Sequence, residues 1–160
     1  MIFVTVGTNN VGFDRLIKKM DEIAGRIDKK VIMQIGYSYY NPNNAQWFKF
    51  LKYDEIKNFY NDADIIVSHA GTSTMLDILS LEKPYIIVPR LKEYGENIHS
   101  QQMELAKALE NNKNVSVVYD INDLENQIER ASKENQIERA SKLKYYDKNG
   151  QVLIKFLNSL

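Results

Sequence analysis

Residues 65 to 79 read IIVSHAGTSTMLDIL. The run places Ser68, His69, Thr72, Ser73 and Thr74 between an apolar β-branched segment and Met75, Leu76, Ile78 and Leu79, which fall at helical spacing. A strand that passes through Ala70 and Gly71 straight into a helix offers two things to a ligand. Small residues let the backbone come close, and the free amides of the first helical turn, at the positive end of the helix dipole, attract an anion. A diphosphate suits such a site, with the hydroxyls of Thr72, Ser73 and Thr74 as further donors. A plainer reading stays open on this stretch alone, in which serine and threonine simply cap the helix.

Other loops of similar character end in Gly7-Thr8-Asn9-Asn10, Gly36 and Pro89-Arg90. No Gly-Lys-Ser/Thr occurs, and Gly7 to Gly12 lacks the three-glycine dinucleotide fingerprint, which argues against a P-loop triphosphatase and a nicotinamide dehydrogenase. The absence of cysteine removes thiolate chemistry, and only two histidines, His69 and His99, leave little for a histidine-based metal site. We therefore expect no metal. Basic and acidic residues number 21 each, so a nucleic-acid binder relying on phosphate neutralisation is not favoured. No segment approaches the roughly 18 apolar residues of a membrane span, and MIFVTVGTNN has no basic stretch ahead of its apolar run. A cytoplasmic protein that meets a membrane only through a partner is the expectation.

The elements that must position these loops alternate in type. Ile2–Val6, Lys30–Ile35, Trp47–Phe50, Asp64–Ser68, Pro84–Val88 and Val115–Tyr119 read as strands. Between them, Phe13 to Ile27, Asp54 to Asn61, Thr72 to Leu81 and Ile98 to Leu109 read as helices, and long helical sequence follows residue 120. Such alternation implies parallel pairing through crossovers, hence an α/β Rossmann-like three-layer sandwich with a mainly parallel sheet. The 160 residues suit a single domain, 1–160. Loops at the carboxyl ends of its strands converge, and ligands bind there.

VTVGT at 4–8, QIG at 34–36, ADIIVSHAGTSTMLDIL at 63–79, KPYIIVPR at 83–90 and YGENIHSQQMELA at 94–106 together resemble the C-terminal, donor-binding domain of family 28 glycosyltransferases. The likeness runs in order from residue 2 to about residue 110, and is nearest to the stand-alone Alg13-like and PssE-like form of that domain. It implies the donor half of a GT-B glycosyltransferase using a UDP-sugar as substrate and no cofactor. By position, Gly7 and Thr8 match the first glycine loop, at the cleft where donor and acceptor meet. Ser68, His69, Gly71, Thr72, Ser73 and Thr74 match the loop and helix start that hold the diphosphate. Asp77 stands where the family usually has a glutamate that accepts ribose hydroxyls. Gln102 matches the glutamine of a His-Gln pair that contacts sugar hydroxyls; Gln101 stands at the histidine, with His99 two residues earlier.

Two readings remain for several of these residues. His69 is a packed residue shaping the loop, or else a base. Arg90 either grips the phosphates through its fork of donors or pairs with Glu93 or Glu96. Tyr37, Tyr39 and Tyr40 either border an acceptor cleft or pack. The resemblance implies half an enzyme, with the general base and lipid-linked acceptor on a membrane-associated partner, Alg14-like or PssD-like, and inverting transfer of GlcNAc or a related hexose or uronic acid. The competing class is a non-catalytic nucleotide-sugar-binding or interaction module of the same fold.

One feature stands outside the resemblance. Residues 125–133 and 134–142 both read ENQIERASK. Nine residues make about two and a half helical turns, so one continuous helix turns the second copy by roughly half a revolution. Ile128 and Ala131 then face opposite to Ile137 and Ala140, and both sets cannot be buried against one sheet. A looped-out or solvated copy, and a helix that carries Tyr145–Leu160 to a second chain as a swapped homo-oligomer, all remain open. Deleting residues 134–142 is expected to leave nucleotide binding intact while changing oligomeric state or stability.

Overall fold

The computed structural model describes residues 1–96 and 101–148, with side chains as far as residue 138. Among these residues β1 (Ile2–Thr5), β2 (Val31–Gln34), β3 (Gln46–Phe48), β4 (Ile65–Ser68), β5 (Tyr85–Ile87) and β6 (Val115–Val117) form one sheet. Its order is β3-β2-β1-β4-β5-β6, and every neighbouring pair is parallel. The helices are α1 (Asp14–Ala24), α2 (Tyr53–Asp62), α3 (Thr72–Leu79), α4 (Gln101–Leu109) and α5 (Leu124–Lys148). The architecture is the expected three-layer α/β sandwich. The aromatic strand is shifted slightly, to Gln46–Phe48.

The central strands are covered on both faces, which is why they read as continuous apolar runs rather than alternating ones. In β1, Ile2 and Val4 enter one core with Leu16, Ile17, Met20 and Ile23 of α1 and with Leu124 and Ile128 of α5. Phe3 points the other way, into a second core with Tyr60, Met75, Ile78 and Ala106 from α2, α3 and α4. The two-residue period of a strand makes this division unavoidable. Each fully buried aliphatic side chain contributes about 1.5–3 kcal/mol relative to exposure. These two cores hold rigid the strand ends from which the loops leave.

Both repeat copies lie on α5, and they behave differently. Ile128 and Ala131 are 2% and 7% exposed, whereas Ile137 is 69% exposed. The half-turn offset thus resolves with the first copy packed and the second projecting. The inward face of the second copy is polar: Asn135 Nδ2 donates to the Asp64 carbonyl at 3.2 Å. With Glu134 and Glu138 it borders a cavity of about 340 Å³ beside Pro84, Tyr85 and Asn114, at the amino ends of the strands. Ala140, and any docking of Tyr145–Leu160 on a second chain, lie outside the described side chains.

Ile128 and Ile137 share the local sequence NQIER, so they make a matched pair that differs only in tertiary setting. Ile128→Ala is expected to cost about 2–4 kcal/mol in urea unfolding, and Ile137→Ala less than about 0.5 kcal/mol. Equal losses would contradict the packing of the first copy alone.

Candidate nucleotide-binding site

In this strand order the chain leaves β1 toward one half of the sheet and β4 toward the other, and a crevice opens between their carboxyl ends. The loop after β1 brings Gly7 and exposed Thr8 to one side of it. The loop after β4 brings His69, Ala70 and Gly71 to the other, and α3 starts at once.

The imidazole of His69 sets the shape of this crevice. A Cβ on Gly7 would lie 2.5 Å from His69 Cε1, and one on Gly71 would lie 2.2 Å from Nε2. Both glycines are needed because the ring lies against their backbone, and Gly7 also adopts φ +72°. His69 is 7% exposed and its Nδ1 has no hydrogen-bond partner. Burial, reinforced by the Arg90 charge, pushes its pKa down to about 4, while the nearby Thr5 backbone acts the other way. The ring is therefore neutral at pH 7 and packed into the loop.

Beneath Gly7, Gln34 is a buried strut. Its Nε2 donates to the Gly7 carbonyl at 3.1 Å and to that of Lys49 at 3.3 Å, while its Oε1 accepts from Thr5 Oγ1 at 2.6 Å. The backbone around Gly7 is thus held by groups from β1, β2 and the segment after β3.

At the start of α3 no side chain caps the helix; Gly71 occupies the cap in extended conformation. The capping reading of the hydroxyls therefore gives way. The first internal bond is Met75 N to the Gly71 carbonyl, 2.9 Å, which leaves the amides of Thr72, Ser73 and Thr74 outside the helical ladder. Thr72 and Ser73 are exposed. Free amides, hydroxyls and the positive end of the helix dipole thus gather at the start of α3.

Not every anticipated residue points into it. Ser68 is fully buried, its hydroxyl donating to the His69 carbonyl at 2.8 Å and lying 2.6 Å from the Tyr85 hydroxyl, so it supports the loop from inside. The Thr74 hydroxyl meets the Tyr60 phenol on α2. Asp77, half-buried, accepts from the Tyr53 hydroxyl at 3.1 Å.

Arg90 departs further from expectation. It is 3% exposed, and its guanidinium donates to the carbonyls of Val11 (3.0 Å), Gly12 (2.8 Å), Glu96 (3.3 Å) and Val6 (3.2 Å) over the Phe13 ring. Neither Glu93 nor the Glu96 carboxylate is its partner. The Glu96 side chain instead takes Arg15 in a bidentate pair, 2.9 and 2.8 Å, and the Leu91 amide at 3.0 Å. Arg90 consequently acts as an internal clasp between loops. Its own amide donates to Gln102 Oε1 at 3.3 Å, which brings the start of α4 to the end of β5. Gln101 is exposed beside it, and His99 lies outside the described residues.

Of the aromatic loop, Tyr37 and Tyr39 are 47% and 91% exposed, while Tyr40 bonds Asp21 at 2.7 Å and packs. Among the described residues no three histidine or acidic side chains gather as metal ligands, and no helix is long and apolar enough to cross a membrane. Sequence reading missed Tyr53, Tyr60 and Arg15, and took Gln34 only as part of the QIG motif. Only the two tyrosines left a signal, a seven-residue spacing that puts both on one face of α2.

A parallel sheet with this switch point, and a helix that starts directly after its central strand, define a Rossmann-like α/β domain. The chain belongs to the glycosyltransferase family 28 C-terminal domain family, whose model matches residues 1–153. It is 34% identical over 119 residues to the human UDP-N-acetylglucosamine transferase subunit ALG13, covering 68% of this chain and 10% of that protein. The Debaryomyces hansenii protein of the same name is 32% identical over 71 residues, 42% of this chain and 34% of that one. A Fusobacterium nucleatum UDP-N-acetylglucosamine–N-acetylmuramyl-(pentapeptide) pyrophosphoryl-undecaprenol N-acetylglucosamine transferase is 36% identical over 85 residues, 49% of this chain and 22% of that one. The chain thus spans about a third or less of these relatives. Among solved structures, a glycotransferase of kitacinnamycin superposes with a TM-score of 0.64 at 17% identity, over 90% of this chain and 38% of the other, and shares the fold.

The His69 environment makes a measurable prediction. Its folded pKa lies below its ordinary 6.5, so between about pH 4 and 6.5 the unfolded chain binds a proton that the folded chain refuses. Stability therefore rises with pH across that window, and about 3 kcal/mol from this group is lost on acidification through it. An NMR titration should show the His69 ring neutral down to about pH 4. A midpoint at or above 6.5 would refute the buried, packed geometry.

Proposed function

We propose that this chain is the donor-binding part of a UDP-sugar-dependent glycosyltransferase that works with a second, acceptor-binding polypeptide. The observation that carries this is the uncapped start of α3 facing the Gly7 loop across the β1/β4 crevice, in a chain that the family model matches over residues 1–153. The amides of Thr72, Ser73 and Thr74 and the hydroxyls of Thr72 and Ser73 take the diphosphate. Asp77 accepts the ribose hydroxyls, and Gln101 and Gln102 reach the sugar. As the acceptor hydroxyl attacks the anomeric carbon with inversion, negative charge grows on the leaving diphosphate, and fixed amides aimed at that charge stabilise the transition state.

No cofactor enters this chemistry. His69, neutral and buried against two glycines, is a loop-shaping group rather than the base, so deprotonation of the acceptor falls to the partner. That the human and yeast relatives are named subunits supports a partner here. The partner is membrane-associated and Alg14-like or PssD-like, it presents a lipid-linked acceptor, and the present chain works at the cytoplasmic face. The names of the relatives favour N-acetylglucosamine as the sugar, with other hexoses or uronic acids as the alternatives to be assayed.

The diphosphate role of the helix start has a specific test. Proline is tolerated at the first helical position, and extended Gly71 is compatible with a following proline, so Thr72→Pro should keep the fold while deleting one amide donor. Calorimetry should show UDP binding weakened about tenfold by Thr72→Pro and by less in Thr72→Ala, which removes only the hydroxyl. Absence of UDP and UDP-sugar binding at millimolar concentration would sink the donor-site assignment.

Transfer should appear only when the acceptor-binding polypeptide is added. Full activity of the purified chain on a soluble acceptor would contradict the two-component reading. UDP-sugar binding without transfer in the reconstituted pair would favour the non-catalytic module.

A further inference from the structure

We propose that Tyr53 is a positioning residue for the donor: its hydroxyl fixes one carboxylate oxygen of Asp77 so that the other is presented to the ribose diol. The inference rests on the donor-site reading above and adds to it a residue from a different helix. Tyr53 opens α2, and its phenol donates to Asp77 Oδ1 at 3.1 Å across the gap to α3. Among the described residues Asp77 Oδ2 has no hydrogen bond, which leaves its lone pairs for a ligand.

The geometry of α2 shows that this contact is one of a pair. Tyr60, two turns further along the same face, meets the Thr74 hydroxyl, and Thr74 and Asp77 lie one turn apart on α3. Tyr53 and Tyr60 of α2 thus lie beside Asp77 and Thr74 of α3. Tyr60 is anchored in the core, 4% exposed and edge-on to Phe3 at 5.7 Å, so α2 cannot slide along α3 without losing that packing. Tyr53 itself is 58% exposed, with the Lys57 ammonium 4.7 Å from its ring centroid. Its phenol is raised above its ordinary pKa chiefly by the bond to Asp77 and stays a donor at neutral pH.

The chemistry explains why an aspartate needs such a brace. A half-exposed carboxylate turns about its last bond at little cost, and each orientation it samples lowers its effective readiness for a bidentate diol. A donor on one oxygen removes that freedom before the ligand arrives. Tyr53 acts through Asp77 and touches neither the diphosphate nor the sugar.

The test compares UDP with 2′,3′-dideoxy-UDP, binding each by calorimetry to the full-length wild type, Tyr53→Phe and Asp77→Asn, with circular dichroism on all three. Wild type should prefer UDP about tenfold and Asp77→Asn should lose that preference. Tyr53→Phe should cut it about threefold or more while leaving dideoxy-UDP affinity unchanged. If Asp77→Asn abolishes the preference and Tyr53→Phe keeps it, the Tyr53 role is overturned and the ribose site stands. If Tyr53→Phe weakens both ligands equally, its role is structural and the proposal fails. A wild type that binds both alike, or an Asp77→Asn variant with its preference intact, overturns the ribose assignment together with the proposal.

Discussion

A single buried guanidinium holds the crevice rim together. Arg90 ends the β5 strand region and reaches back to carbonyls at residues 6, 11 and 12, positions from which it is separated by 78 to 84 residues of chain. Carbonyls in such loops have no ladder partner, and each left unsatisfied in the interior costs about 1–3 kcal/mol. The cation also has to be compensated: burial, aided by the Arg15 charge and partly offset by Glu96, lowers its pKa to about 10. Oriented carbonyl dipoles, the Phe13 ring at 4.6 Å and the nearby Glu96 carboxylate supply that compensation. Without the clasp, the Gly7 loop and the loop after β5 lose the three hydrogen bonds from Arg90 to the Val6, Val11 and Gly12 carbonyls.

The crevice depends next on how closely two backbones approach one imidazole. Because the His69 ring lies where side chains of residues 7 and 71 would be, the loops after β1 and β4 come together with no side chain between them other than that ring. Keeping the ring neutral avoids burying a second positive charge beside Arg90. The rigid elements below, with Gln34 bridging the Gly7 and Lys49 carbonyls, carry the loop positions back to the paired strands. This is preorganisation by packing, in which the loop geometry is set by buried hydrogen bonds and close backbone approach.

The repeat in α5 shows the same physics away from the site. A nine-residue insertion of helix is neutral in local propensity, yet it rotates whatever follows by about half a turn. The helix accepts this because the second copy places Asn135 and Glu138, rather than Ile137, along the sheet side, where polar groups meet the Asp64 carbonyl and a cavity. The cost is an exposed isoleucine. The crevice lies at the opposite ends of the strands from that cavity.

The order of strands and helices was readable from the chain because burial imposes periods of 2 and 3.6 on a local string of residues, and Ile2–Thr5, Ile65–Ser68 and the α1 pattern carry those periods plainly. The loops of the site were readable too, since close backbone approach demands glycine, as at Gly7 and Gly71. The sequence also settled that the two repeat copies could not share one buried face. What it left open was direction. Whether the hydroxyl of Ser68 faces a ligand or Tyr85, whether Thr74 serves the crevice or Tyr60, and whether Arg90 grips phosphate or backbone carbonyls depends on groups that arrive from elsewhere in the chain. Aspartate 77 belongs with them, because its partner Tyr53 stands on another helix. Only the packed sheet brings these groups together, and a hydrogen bond needs both a short distance and a favourable angle, so no local pattern encodes the choice.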